Sequence, residues 1–94
     1  MTAVYDGPAA MRIGEAEHAV RVRLTGHLDP IDGRYHWRGM VLEWAPETAL
    51  RLPQPVSISI EGQTAEGQLT EVTPWGTHGV TGVGAPPYLV DAGD

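Results

Sequence analysis

Between positions 27 and 37 the chain reads HLDPIDGRYHW, a run holding two histidines, two aspartates and one arginine. Imidazole and carboxylate are the donors of a divalent-metal site, and a histidine beside a carboxylate is also the pairing used in acid–base catalysis. Folding alone accounts for most of the run. Pro30-Ile31-Asp32-Gly33 makes a four-residue loop closed by Asp29 and Arg34. Pro30 suits the second position of a type I turn, and Gly33 can take the left-handed conformation that rejoins a strand. The implied register sets Leu28 opposite Tyr35, Gly26 opposite Trp37, Leu24 opposite Gly39 and Val22 opposite Val41. Trp37 is then expected to cover Gly26 as part of the core.

That register leaves one consequence for chemistry. His27 faces His36 on the polar side, with Cβ atoms roughly 5 Å apart. Two histidines near a carboxylate can hold a metal, but no H-x-H or H-E-x-x-H spacing supplies a third ligand. The pair is read as solvated surface histidines, Asp32 as a turn residue, and no metal is assigned. No cofactor is assigned either. The glycines of GVTGVGAPP lack the strand–loop–helix setting that would make them a phosphate cradle. Ser57 and Ser59 alternate within one strand with no His-Asp arrangement near them, and the glutamates are scattered.

The elements around this run are short and alternating. HAVRVRLTGHL places Val20, Val22, Leu24 and Leu28 on one parity and arginines, Thr25 and His27 on the other. In YHWRGMVLEW, Tyr35, Trp37 and Val41 share a parity. Met40, Leu42 and Trp44 take the opposite one, so either both faces are covered there or Gly39 marks a bulge. VSISI-EG-QTAEGQL forms a hairpin around Glu61-Gly62, with Ile60 facing Gln63, Ile58 facing Ala65 and Val56 facing Gly67. MRI-GEAE-HAV forms another at the start. TPWGTHGVTGVG implies a short or kinked strand. Residues 46–52 could hold a helical turn behind Pro46, and Pro53 and Pro55 confine Val56 to a strand start or a sheet edge.

These runs predict a single all-β domain over residues 1–94, a small antiparallel six- to seven-stranded meander barrel or sandwich with little or no helix. Residues 85–94 are expected as an extended, partly frayed tail. The hydrophobic share of 41% supports a packed globule, and no run nears the roughly 18 apolar residues of a membrane span. No signal peptide is visible, and the chain has no cysteine, so disulfides and thiolate sites are excluded. A cytoplasmic protein is the expectation. The net charge of −6 argues against nucleic acid. All positive residues are arginine, and lysine, asparagine and phenylalanine are absent, which suggests a GC-rich genome.

YDGPA (5–9), LTGHLDPIDGRYHWRG (24–39) and VTGVGAPPY (80–88) resemble DUF4873, a mostly actinobacterial domain of unknown function. The resemblance spans nearly the whole chain. Such domains occur alone or C-terminal to flavin-dependent monooxygenases or pyridine-nucleotide oxidoreductases, and no catalytic residue comes with the resemblance. It implies an association with flavoprotein monooxygenase or oxidoreductase chemistry, whose flavin machinery this chain lacks.

The leading expectation is therefore an accessory or small-ligand-binding domain holding a small apolar ligand or docking on an oxidoreductase. Tyr35, His36, Trp75 and His78 are the candidate ligand-binding residues, because binding clefts mix aromatic walls with few polar groups. One alternative is a small enzyme using His36, with His27 or His78, as acid–base in a barrel mouth. Another is a structural domain that forms a homodimer through an open sheet edge.

Overall fold

The computed structural model of the protein describes residues 3–44, 46 and 51–88. Six antiparallel strands are present: β1 (Ala3–Ile13), β2 (Ala16–Asp29), β3 (Arg34–Leu42), β4 (Gln54–Ile60), β5 (Gln63–Val72) and β6 (His78–Val83). They close into a barrel in the order β1-β2-β3-β6-β5-β4. Two three-stranded meanders thus face each other, joined along β3–β6 and along β1–β4. Among the described residues no helix is long and apolar enough to cross a membrane.

Turn chemistry fixes the hairpins. Gly33 takes φ 71°, and its N–H donates to the Asp29 carbonyl at 2.8 Å, closing the β2–β3 loop. Glu61 and Gly62 both take positive φ, 48° and 87°, the backbone of a two-residue turn matched to strand twist. The β2–β3 register runs unbroken from Arg21↔Leu42 to Asp29↔Arg34, and the β4–β5 register pairs Ile60 with Gln63 and Val56 with Gly67. Gly39 therefore carries no bulge against β2; the irregularity sits in β5, between Leu69 and Glu71 opposite β6. Pro55 lies on the part of β4 beyond its pairing with β1, so its missing N–H costs no ladder bond there. The helical turn expected over 46–52 falls mostly outside the described residues.

Alternation sends Met11, Val20, Val22, Leu24, Trp37, Val41, Val56, Ile58, Ile60, Leu69 and Val80 into the barrel. Two sequence expectations change. Leu28, on the inward parity, is 63% exposed because the barrel has ended at its level. Trp37 does not cover Gly26: a Cβ there would meet the Tyr35 ring instead, at 2.5 Å. The indole lies over Gly82 and Gly67, where a Cβ would fall 2.2 Å and 2.9 Å from its ring atoms. The indole turns toward its β6 partner Gly82 instead of its β2 partner Gly26, and its length carries it on to Gly67 on β5.

The two barrel ends are plugged differently. At the β2–β3 hairpin end, Pro87 and Tyr88 are buried, and the Tyr88 hydroxyl lies 3.2 Å from that of Tyr35. Burial, then the Tyr35 contact, push the Tyr88 hydroxyl well above its ordinary pKa. The first part of the expected tail is thus a packed lid, while residues 89–94 lie outside the described residues. At the opposite end Glu43 takes φ 55°, turning the chain so that Trp44 folds between two rings. Its centroid is 5.3 Å from that of His18 and 5.1 Å from that of His78.

Candidate functional site

The strand pairings of β2, β3 and β6 build three parallel rows across the sheet. Gly26, Trp37 and Gly82 make the middle row, whose one side chain, that of Trp37, turns inward. Only their backbone faces out. On one side stands the row Thr25–Arg38–Thr81, and on the other His27–His36–Val83, both pointing outward. A groove of about 440 Å³ follows the middle row between these two walls. Its floor is backbone and its walls are two hydroxyls, two imidazoles, one guanidinium and a valine. Trp37 thus sets the groove from below, since its indole fills the core beneath backbone that carries no side chain on either flanking strand.

The polar wall is ordered by the hairpin. The rings of His27 and His36 stack with centroids 6.2 Å apart and planes 20° from parallel. His36 Nε2 lies 2.8 Å from Asp32 Oδ2 and 4.0 Å from Asp29 Oδ2. The other oxygen of each aspartate is held by the turn. Ile31 N–H donates to Asp29 Oδ1 and Arg34 N–H to Asp32 Oδ1, both at 2.8 Å. The Arg34 N–H, followed by His36, holds the Asp32 carboxyl below its ordinary pKa. Asp32 is a turn residue, as expected, and also the carboxylate partner of His36.

Charge is uneven around the groove. Arg21 and Arg23 pair with Asp6, and Arg12 with Glu17. Among the described residues Arg38 has no carboxylate within ion-pair distance. A chain of net charge −6 thus presents, among the described residues, a guanidinium with no carboxylate partner beside two imidazoles in this groove.

The four residues expected to bind a ligand do not share one place. His36 lines the groove. Tyr35, its neighbour, points the other way, into the barrel end closed by Tyr88. Trp75 is 87% exposed at the tip of the β5–β6 turn. His78 is 5% exposed inside the opposite end, tilted against the Trp44 ring, and among the described residues its Nδ1 has no hydrogen-bond partner. Sequence reading placed His27 on the polar face but passed over Arg38, Thr25 and Thr81 as site residues. Thr25 and Arg38 were reachable from the same parity and register. Thr81 needed the β3–β6 pairing, which joins the two meanders.

His78 carries a pH dependence of its own. Burial lowers its pKa from the ordinary 6.5, so the unfolded chain takes a proton at a pH where the folded chain does not. Its contribution to stability is whole above about 6.5 and is lost as pH falls below that value toward the folded pKa. Urea midpoints should drop for the native chain between pH 7 and pH 5.5. The drop should be smaller in His78→Phe, and equal slopes in both would mean that the ring is charged or solvated in the fold.

The comparisons with known proteins agree with this frame. The family model described as "Domain of unknown function (DUF4873)" matches residues 2–90. Uncharacterised proteins of Mycobacterium tuberculosis and Mycobacterium bovis are 55% identical over 84 residues, which is 89% of this chain and 24% of each relative. The chain thus spans about a quarter of the length of these curated relatives. No solved structure matches. With nearly its whole length matched, the chain belongs to the DUF4873 family.

Proposed function

We propose that this is a non-catalytic accessory domain that binds a small ligand, working beside a flavoprotein monooxygenase or oxidoreductase. The observation that carries the reading is the groove between the Thr25–Arg38–Thr81 and His27–His36–Val83 rows. Its size suits a small molecule, and its unpaired guanidinium suits an anionic group on an otherwise apolar body. The flavoprotein association follows from the family resemblance. It is supported by relatives in which most of the chain lies outside the matched segment. Titrating isotope-labelled protein with benzoate and decanoate should move the amide signals of Thr25, His27, His36, Arg38, Thr81 and Val83, and Arg38→Ala should abolish the movement. Shifts clustered at Tyr35 and Tyr88, or none at all, would refute the groove as the ligand site.

A second reading is a small enzyme with His36 as acid–base, favoured by the 2.8 Å contact between His36 and Asp32. A carboxylate on one imidazole nitrogen orients the ring and strengthens it as a base. In this reading His36→Gln abolishes turnover of a groove-bound substrate without loss of binding.

A further inference from the structure

We propose that Asp29, Asp32 and His36 form a binding site for a divalent first-row transition ion at the rim of the groove. One donor atom from each of Asp29, Asp32 and His36 lies within 4.8 Å of the others, and His36 Nε2 is 2.8 Å from Asp32 Oδ2 and 4.0 Å from Asp29 Oδ2. Donors on one such ion at about 2.0–2.2 Å stand roughly 3–3.5 Å apart, so a modest side-chain rotation closes the set. The donors are poised for it. Each carboxylate spends one oxygen on a backbone N–H and turns the other toward the imidazole.

The mixed donor set names the class of ion. Calcium and magnesium are held by oxygen alone, whereas an imidazole with two carboxylates suits zinc, nickel, cobalt or manganese. Two carboxylates neutralise a divalent charge. In the free protein His36 Nε2 is hydrogen-bonded to Asp32 Oδ2, and a bound ion would take the place of that hydrogen bond. Three protein donors leave coordination positions open. His36 belongs to the groove wall as well as to the donor set, so an open position would lie beside the groove. His27 stacks on His36 without joining the donor set, and it is the internal control. The site stands whether or not the groove takes an organic ligand.

Calorimetric titration of tag-free protein with zinc chloride should show one site per chain, and magnesium chloride should show none. Asp32→Asn and His36→Gln should each weaken zinc binding about tenfold or more, while His27→Gln should leave it within a few-fold. Because Asp32 also shapes the turn, a measurement on the native sequence accompanies the variants. Substoichiometric manganese chloride should broaden the amide signals of residues 29–36 before all others. No zinc binding, binding that survives His36→Gln, or broadening centred elsewhere would overturn the site.

Discussion

Replacing Trp37 with alanine is expected to cost about 3–5 kcal/mol of stability, a large part of what a domain of this size possesses. The side chain is 1% exposed and is the largest of the fully buried ones. Its indole occupies space that two glycines leave vacant on neighbouring strands, so the loss opens a cavity no neighbour can fill. The pairing is testable through coupling. Gly82→Ala puts a Cβ 2.2 Å from Trp37 Cζ2 in the native protein. In a Trp37→Leu background that clash is gone, and Gly82→Ala should cost much less. Chemical denaturation of the four proteins gives the interaction energy directly. Additive costs would mean that the indole does not rest on Gly82. The groove floor rests on the same packing, so under the proposed ligand-binding function binding should fall together with stability in the Gly82 variant.

Gly39→Ala is expected to be nearly as damaging, at about 3 kcal/mol, through overpacking instead of a cavity. A Cβ at Gly39 would fall 1.8 Å from the Arg23 carbonyl oxygen and 2.9 Å from the Leu24 Cα. These are backbone atoms of a paired strand, and they cannot yield without breaking the β2–β3 ladder. Gly33→Ala makes the contrast, because a Cβ at Gly33 meets nothing within 4 Å and only its φ of 71° opposes the change. Urea midpoints should rank native, Gly33→Ala, Gly39→Ala from most to least stable. A Gly39→Ala protein as stable as the native one would show that β2 and β3 stand further apart at this level.

The β2–β3 hairpin shows how far residue types reach. Pro30 and Gly33 set the loop, the loop sets the register, and the register brings His27 opposite His36. Each step uses neighbours in sequence, so each was legible. Tyr35 and His78 show the opposite. Both were candidates for a ligand cleft or barrel mouth; both point into the barrel, and their surroundings there come from segments far along the chain. Tyr88 meets Tyr35 across the tail, and Trp44 meets His78 only because Glu43 adopts a left-handed backbone. A glutamate with positive φ has no signature in its residue type.

By itself the sequence determined most strand runs, the cross-strand partners within the β2–β3 and β4–β5 hairpins and the polar face that carries both histidines. Period-two alternation and turn geometry act over a few residues, and they specify which way each side chain points. Tertiary structure alone decided which strands meet outside the hairpins. The β3–β6 pairing supplied Thr81 and Val83 as the third column of the groove and set Gly82 against Trp37. Within the β2–β3 hairpin the Asp29 and Asp32 carboxylates converge on His36 Nε2, a local detail that residue spacing does not state, because a backbone N–H holds the other oxygen of each. Closing a barrel is a choice made by the whole core at once, through indole, glycine and aliphatic volumes that must fill one shared space.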